Sequence, residues 1–306
     1  MSAGPGSGVL PDALSQATWT YTTRTFQALG YRFAVRSTDA ELGRLFDDLY
    51  RPCAVPGDPN TWYSIVAPEP VDMERELYID DRRVASLERP SWLVRWVTWH
   101  VNHQVIACSS DYVLLHAAAA ARDGVGVLLP AASEAGKTTL VAGLVRSGFA
   151  YLTDEAAAID PSTLQIEPYP KPLSIDRGSW EVLADLAPSD AEVAGGYHAG
   201  QWHVSPASLR PDAVSGAIRA SVVVFPRFER GAGTSCEPVV RSQGLIELLR
   251  HTFRFYDDGR RNLEVLAEVL RDADCYRLLS GDLGTACEAI ETLTDRVARR
   301  EAGGRT

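Results

Sequence analysis

The chain has 306 residues, 45% of them hydrophobic and 23% charged, which is enough for one large domain or two ordinary ones. Its formal net charge of −10 and its pI near 5.1 argue against a nucleic-acid or anionic-membrane partner, since both require a basic face. No run approaches the roughly 18 continuous apolar residues of a membrane span. The five cysteines are scattered and form no CxxC pair, so we expect a reduced, cytoplasmic protein without structural zinc.

The chain divides into three parts by composition. Residues 1–17 lack a basic segment followed by an apolar core, so we expect a disordered tail and not a signal peptide. The composition changes near residue 108. We therefore expect an N-terminal α+β region over residues 18–107 and a second domain over residues 108–300.

The N-terminal region alternates strand and helix patterns. Residues 18–36 are rich in Thr, Tyr, Phe and Trp around a Leu-Gly pair, which predicts strands joined by a turn. A helix is predicted next, with Thr38 as its cap. Two strands and a helix that begins near Pro90 follow, and the tryptophans of "SWLVRWVTWH" are expected to lie in the core.

The second domain begins with apolar strands. "YVLLHAAAAA" and "GVGVLLP" are joined by a hairpin-like turn at Asp123-Gly124. "GKTTLVAGLVRSG" predicts a helix closed by Gly148, and "FAYLTDEAAAID" predicts a strand pair interrupted by Asp154-Glu155. Further elements are predicted at "SVVVFPRFE" and "CYRLLSG" (strands) and at about 242–254, 259–273 and 283–300 (helices).

The stretch "LLPAASEAGKTTLVAGL" resembles a phosphate-binding loop without its first glycine. Gly136, Lys137 and Thr138 match the Gly-Lys-Ser/Thr end of the motif, and Ala131 takes the place of the first glycine. In such a loop, backbone N–H groups and the helix N-terminus bind phosphates, the lysine reaches the β- and γ-phosphates, and the hydroxyl binds Mg²⁺. The expected nucleotide-binding residues are Ala131, Ala132, Ser133, Glu134, Ala135, Gly136, Lys137, Thr138 and Thr139.

Two departures from the motif bear on this interpretation. Alanine at 131 disfavours a positive φ, and Glu134 places an acid inside an anion-binding loop. The alternative interpretation is a capped helix after a buried strand, with Lys137 exposed. Asp154 lies at the end of the next apolar strand, where a carboxylate can hold Mg²⁺ or take a proton from a hydroxyl, and this favours the nucleotide site. His116 is either a satisfied core histidine or a catalytic one.

These features together resemble the catalytic domain of the HPr kinase/phosphorylase family and the HPr-kinase-like proteins of peptide-modification clusters. His116 stands 15 residues before Ala131, and Asp154 stands 17 residues after Lys137, as in that family. "LVRSGFAYLTDE" is similar to its L-x-x-R-G-H-x-L-V-A-D-D segment, although Phe149 replaces the histidine. The similarity covers about residues 108–295 and is most specific between 112 and 160.

The resemblance implies an α/β fold: a P-loop kinase domain of the HPr kinase/PEP-carboxykinase-like type with a mixed sheet, beside the smaller N-terminal region. It implies that Lys137 holds the phosphates, that Thr138, Asp154 and Glu155 serve the metal, and that Asp154 is the base with His116 beside it. Arg227, after "VVVFP", is a candidate for neutralising charge in the transition state. Its alternative is a surface or ion-paired arginine.

Other residues are assigned ordinary roles. Lys171 in "YPKPLS" faces the phosphates in one interpretation and is an ordinary loop lysine in the preferred one. His198 and His203 are expected in a solvated loop.

The sequence thus predicts an ATP- and Mg²⁺-dependent kinase that transfers the γ-phosphoryl group to a hydroxyl of a peptide, a small protein or a small molecule. Homo-oligomer formation stays open. The competing hypotheses are a degenerate P-loop protein that binds nucleotide or acts as a scaffold, and a nucleotide-driven hydrolase. The second lacks a convincing downstream aspartate and water-orienting residue.

Overall fold

The computed structural model of the chain describes residues 12–67, 74–132, 135–254 and 258–303. The strands within them are β1 (Tyr21–Thr22), β2 (Thr25–Ala28), β3 (Tyr31–Ser37), β4 (Ala54–Val55), β5 (Thr61–Val66), β6 (Arg75–Ile79), β7 (Arg82–Leu87), β8 (Val113–Arg122), β9 (Val125–Pro130), β10 (Ala150–Thr153), β11 (Ala156–Ile159), β12 (Gln165–Glu167), β13 (Leu173–Asp176), β14 (Gln201–Val204), β15 (Ile218–Phe228), β16 (Ser235–Pro238) and β17 (Asp274–Ser280). The helices are α1 (Asp12–Gln16), α2 (Ala40–Leu49), α3 (Pro90–Cys108), α4 (Lys137–Arg146), α5 (Asp190–Ala194), α6 (Pro206–Leu209), α7 (Arg241–Arg250), α8 (Gly259–Asp272) and α9 (Leu283–Gly303).

The first sheet contains β1 to β7 in the order β4-β2-β3-β5-β6-β7, with β1 beside β3. β3 and β5 are parallel, and the other pairs are antiparallel. α2 and α3 contribute to the core that covers this sheet, together with buried aromatic residues such as Phe33 and Tyr63. The predicted strands and helices of this region are therefore present.

The cap predicted for α2 is wrong by one residue. Asp39 is the N-cap, because its Oδ1 accepts hydrogen bonds of 3.1 Å from the backbone N–H groups of both Glu41 and Leu42. The Thr38 hydroxyl instead accepts a hydrogen bond from the backbone N–H of Ala67 at 2.8 Å, which ties it to the end of β5.

The tryptophans of α3 correct a second expectation. Trp92 and Trp99 are exposed, while valines at helical spacing, such as Val94, Val97 and Val101, are buried against the first sheet. A helix has room for one buried stripe, and here the valines occupy it. Trp92 and Trp99 therefore lie on the outer face, whereas Trp96 is partly buried and packs against the same core.

The second sheet contains eight strands in the order β10-β8-β11-β12-β15-β17-β16, and β9 pairs with both β8 and β15. β8 and β9 form the predicted hairpin. β9 is parallel to β15, and β15 is parallel to β17, so the carboxyl ends of these three strands share one edge. α4 and α9 contribute to the core on one face, and α7 and α8 contribute to the core on the other.

The first and second sheets are separated in sequence by α3, which ends near the expected domain boundary at residue 108. Residues from beyond this boundary nevertheless pack into the core of the first sheet. Ala156, Tyr169 and Tyr197 join the core of the first sheet.

Within the expected tail, Asp12–Gln16 are helical and Leu14 is buried, so the expectation of disorder is wrong for these residues. Residues 1–11 lie outside the described part. Among the described residues, no helix is long and apolar enough to cross a membrane.

Replacement of Gly126 by alanine is expected to destabilise the second sheet by about 1–3 kcal/mol. A Cβ at this position in β9 would overlap the backbone carbonyl of Arg219, and backbone cannot yield as a flexible side chain can. Urea unfolding would measure the loss. Gly178→Ala is the matched control, because a Cβ there meets nothing within 4 Å. Equal stability of the two variants would contradict the close approach of β9 to the Ile218–Phe228 strand.

Candidate functional site

The connection between β9 and α4 has the backbone that the motif requires at its carboxyl end. Gly136 caps α4 with a left-handed φ of 84°, which glycine adopts without strain. Ala131 is buried and does not have a positive φ, so the missing glycine leaves no backbone strain at this position. Ser133 and Glu134 lie outside the described residues, and the predictions made for them are not tested.

Lys137, the first residue of α4, is buried within this connection. Its Nζ donates hydrogen bonds to the carbonyl oxygens of Ala131 (2.9 Å) and Ala132 (2.8 Å), and it lies 2.9 Å from His116 Nε2. Burial lowers the pKa of Lys137, and the nearby charges of Glu155 and Asp154 oppose that shift. The alternative of an exposed helix-start lysine is therefore wrong.

His116 connects Lys137 to Glu155. Its backbone N–H donates to the carbonyl of His251 at 2.7 Å, which anchors this part of β8. Because Nε2 accepts from the Lys137 ammonium, the ring proton is assigned to Nδ1, which lies 3.4 Å from Glu155 Oε1. Burial opposes ionisation of Glu155, but the hydrogen bond from His116 and the charges of Lys171 and Lys137 together lower its pKa.

Asp154 is the most buried charged residue of the cluster, with 1% of its surface exposed. It follows β10, and both of its carboxylate oxygens are engaged. Oδ2 accepts from the Thr138 hydroxyl at 2.9 Å. Oδ1 accepts from the Tyr151 hydroxyl at 2.9 Å and forms an ion pair with Lys171 Nζ at 2.8 Å.

For Lys171, the expectation of an ordinary loop lysine is wrong. It is 7% exposed, and besides Asp154 its ammonium donates to the carbonyl of Pro172 at 3.0 Å. Tyr151, which also belongs to the cluster, was not singled out from the sequence. One sequence signal identifies Lys171. The chain has 30 basic residues, and only Lys137 and Lys171 among them are lysines.

The remaining predicted residues lie around this cluster. The Thr139 hydroxyl is 2.5 Å from that of Ser179, which ties α4 to a turn after β13. Arg227 is near the end of β15, at the edge of the sheet where β9 also ends, but its side chain is 74% exposed and pairs with Glu229 at 3.3 Å. The structure therefore does not bring Arg227 into the cluster.

The two histidines that were expected in a solvated loop are both buried. His198 Nδ1 accepts a hydrogen bond from the backbone N–H of His203 at 3.2 Å. Burial lowers the pKa of both rings, that of His203 to about 3. The expectation of a solvated loop is therefore wrong for His198 and His203.

The oxygen donors of the cluster match part of the ligand set of a hard divalent cation but do not form a complete metal site by themselves. No group of three His, Cys, Asp or Glu side chains that could hold a metal is present among the described residues. Mg²⁺ prefers oxygen ligands and commonly uses one or two protein groups together with substrate phosphates. The Thr138 hydroxyl and the Asp154 carboxylate, which already touch, fit that donor set, and Glu155 follows directly.

The charges of the cluster balance. Two ammonium groups, of Lys137 and Lys171, lie among two carboxylates, of Asp154 and Glu155. A bound polyanion therefore requires either additional positive charge or a redistribution of these ion pairs.

Comparison with known proteins adds no assignment. No protein-family model matches this chain, and no curated protein matches it at a significant level. The fold is a mixed α/β fold with mixed sheets, and a fold of this class does not by itself define a function.

Replacement of Lys171 by methionine is expected to lower the free energy of unfolding by about 3–5 kcal/mol, because it leaves the buried Asp154 carboxylate without its cation. The double variant Lys171→Met with Asp154→Asn is expected to recover about 1–3 kcal/mol of that loss, since no buried charge then lacks a partner. Urea unfolding of both variants checks this. A loss below about 1 kcal/mol for Lys171→Met, as for a surface ion pair, would contradict the buried pair.

Proposed function

We propose that this protein is an ATP- and Mg²⁺-dependent phosphotransferase that transfers the γ-phosphoryl group to a hydroxyl acceptor. One observation carries the proposal: at the N-terminus of α4, Lys137 contacts His116 and Thr138 donates to Asp154, although His116 and Asp154 stand 21 and 16 residues from these partners in sequence. A helix N-terminus with a lysine and a hydroxyl is suited to phosphate, and a carboxylate beside it is suited to a metal or a proton.

In this proposal the N-terminus of α4 binds the phosphates. The N–H groups of its first turn provide partial positive charge, and the Lys137 ammonium exchanges the carbonyls of Ala131 and Ala132 for phosphate oxygens. Mg²⁺, when bound, supplies further positive charge to the phosphates, with Thr138 and Asp154 as its protein ligands and Glu155 assisting.

Lys171 extends the phosphate-binding role to a second lysine. A single carboxylate, that of Asp154, separates its ammonium from the Thr138 hydroxyl. If Asp154 held Mg²⁺, Lys171 would no longer need to neutralise that carboxylate and would be available, beside Lys137, as a second cation for the phosphates. With this change of partners, Lys171 would supply positive charge to a bound polyanion, and no arginine from outside the cluster would be needed.

Asp154 is also the proposed proton acceptor for the substrate hydroxyl. Its Oδ2 accepts a hydrogen bond from the Thr138 hydroxyl in this structure and would be available for that proton if Thr138 served as a metal ligand. His116 contacts Lys137 through Nε2 and Glu155 through Nδ1, so it fixes the orientation of both side chains.

The type of fold, the cellular location and the kind of acceptor are part of the same proposal. A P-loop kinase domain of the HPr kinase/PEP-carboxykinase-like type is inferred from the motif order between His116 and Asp154, and a cytoplasmic location is inferred from the scattered cysteines without a CxxC pair. The acceptor is proposed as a peptide, a small protein or a small molecule, and the P-loop motif does not distinguish among these. The N-terminal region and its exposed tryptophans offer a surface for the acceptor.

A second candidate function is a nucleotide-binding or scaffold protein without phosphoryl transfer. The observation in its favour is that the polar groups of the cluster already satisfy one another: Lys137 contacts three acceptors, and both oxygens of Asp154 are engaged. Such a cluster is stable without a substrate.

Titration calorimetry with Mg-ATP and an ATP hydrolysis assay together separate the phosphotransferase from the protein without phosphoryl transfer. Lys137→Ala is expected to weaken Mg-ATP binding at least about 100-fold, because it removes the charge-assisted contacts to phosphate. Asp154→Asn is expected to retain binding within about tenfold and to reduce acceptor-independent ATP hydrolysis by about 10²–10⁴, the usual contribution of a general base. Thermal unfolding of each variant controls for loss of fold. Unchanged hydrolysis in Asp154→Asn would remove its role as base, and binding without any hydrolysis in the wild type would favour the second candidate.

The two lysines allow a direct test of phosphate contact. Protein labelled with [¹³Cε]lysine contains two labelled side chains, Lys137 and Lys171, and a Lys137→Arg variant assigns the signals. Mg-ATP is expected to shift both signals, because both ammonium groups exchange a protein partner for phosphate. A shift of the Lys137 signal alone would confine the phosphate contact to Lys137. No shift of either signal at saturating Mg-ATP would contradict the proposed nucleotide site.

A further inference from the structure

Phe228 is an exposed aromatic residue beside the start of α4. It is the last residue of β15, and it is 58% exposed. A Cβ placed on Gly136 would lie 4.0 Å from Phe228 Cβ, so the phenyl ring is attached directly beside the residue that caps α4. An apolar ring with this exposure gains free energy when a ligand covers it, and here it adjoins the proposed phosphate site.

The direction of the Phe228 side chain follows from the alternation of residues in β15. Val222 and Val224 lie in the core to which α4 and α9 contribute, whereas Val223 and Phe225 lie in the core on the other face of the sheet. Since side chains alternate along a strand, Phe228 points to the same face as Val222 and Val224. It lies past the end of that core, so its ring reaches the edge of the sheet where α4 begins.

The backbone that carries the ring is fixed by its neighbours. Phe228 pairs with Ser280 in the parallel ladder between β15 and β17, and the N–H of Glu229 donates to the Ser280 carbonyl at 3.0 Å. The Ser280 hydroxyl also lies 2.8 Å from that of Thr234, at the end of the loop after β15. Gly281 permits the close approach of this loop, because a Cβ there would lie 2.7 Å from the Glu229 carbonyl oxygen. The ring therefore has a rigid support, as a binding surface requires.

Two helices begin at this edge, and their first turns are capped differently. Asp282 Oδ1 accepts a hydrogen bond from the backbone N–H of Thr285 at 2.9 Å, so a carboxylate already satisfies the start of α9. Gly136 provides no side-chain cap for α4. A phosphate therefore fits the start of α4 and not the start of α9.

The strand order separates Phe228 from the groups proposed for phosphoryl transfer. β9 lies between β8 and β15, so the connection from β9 to α4 has His116 of β8 on one side and Phe228 of β15 on the other. Asp154 is on the β8 side as well, because it follows β10, which pairs with β8. A nucleotide whose terminal phosphate faces Asp154 and His116 therefore directs its base toward β15, where Phe228 lies.

The charges beside the ring do not oppose an anionic ligand. Between residues 227 and 234 the chain has two arginines and one acid. That acid, Glu229, pairs with Arg227 at 3.3 Å, and Arg230 follows it. The acid of the neighbouring turn, Asp282, is engaged in capping α9. The surroundings of Phe228 are thus not acidic, although the whole chain has a net charge of −10.

We propose that Phe228 is the surface on which the base of a nucleoside triphosphate donor stacks while the start of α4 binds its phosphates. This inference rests on the proposed phosphotransferase function and narrows its donor to a molecule with an aromatic base. Every nucleobase has an aromatic face, so stacking selects a nucleotide over a polyphosphate without choosing adenine over guanine.

Titration calorimetry that compares Mg-ATP, Mg-GTP and Mg-tripolyphosphate tests the assignment. The wild type is expected to bind Mg-ATP at least about tenfold more tightly than Mg-tripolyphosphate, and to bind Mg-GTP within about tenfold of Mg-ATP. Phe228→Ala is expected to weaken Mg-ATP binding about tenfold or more, which is the usual effect of removing one stacking ring, and to leave Mg-tripolyphosphate binding unchanged.

Two further variants serve as controls for this experiment. Phe228→Trp keeps an aromatic face and is expected to retain the affinity for Mg-ATP. Ile246→Ala removes a side chain of similar exposure, 53%, from α7 on the other face of the sheet, and it is expected to bind every ligand as the wild type does. Thermal unfolding of each variant checks that the fold is intact.

The outcomes separate this inference from the proposed function. Weaker Mg-ATP binding in Phe228→Ala, with Mg-tripolyphosphate binding unchanged, supports the stacking surface. Unchanged Mg-ATP affinity in Phe228→Ala overturns it, while loss of binding in Lys137→Ala would still support the phosphate site. An equal loss for Mg-ATP and Mg-tripolyphosphate also overturns it, since Phe228 would then act on the phosphates and not on the base. Absence of binding of all three ligands to the wild type overturns the proposed function and this inference with it.

Discussion

The buried carboxylate of Asp154 is the interaction on which the site depends. It joins three segments that are distant in sequence: α4 through Thr138, β10 through Tyr151, and the proline-flanked segment through Lys171. A charge this deeply buried is tolerated only with a cation and further hydrogen-bond donors around it, and it has all of these. Because Thr138 is one of the hydrogen-bond donors to Asp154, this bond also holds the start of α4 against the second sheet. The position of Lys137, the neighbour of Thr138, therefore depends on the hydrogen bonds that Asp154 accepts.

The distribution of lysine in the sequence also points to the Asp154 cluster. Nearly all basic residues are arginines, and the two lysines both lie in the Asp154 cluster. An ammonium offers three donors around one compact charge, and Lys137 meets three acceptors in a space closed by backbone carbonyls. The flat, wider guanidinium group does not match that arrangement. Arg227, exposed and paired with Glu229, is an ordinary surface arginine by comparison.

The first and second sheets each position a different group of polar side chains. The second sheet brings the carboxyl ends of β9 and β15 to the edge where α4 begins, which is where open α/β sheets commonly bind ligands. The first sheet instead is covered by α2, which lines a cavity together with His203 and Ser205. β13 connects the two regions, since it begins two residues after Lys171 and pairs with β14, on which His203 lies. Because Leu173 at the start of β13 pairs with Val204 at the end of β14, Lys171 and His203 lie near the same end of this strand pair.

The sequence by itself determined the elements whose signals are local. The β8–β9 hairpin, the helix after Gly136 and the strand pair around Asp154 follow from apolar runs, glycines and turn residues that act over a few positions. The spacing of His116, Lys137 and Asp154 also predicted that they belong together. Tertiary structure alone decided which polar side chains became buried. Lys171, His198 and His203 occur in segments that look solvated, and α3 turns Trp92 and Trp99 outward because its valines fill the core. Burial depends on what packs against a segment from elsewhere in the chain, and no local pattern carries that information.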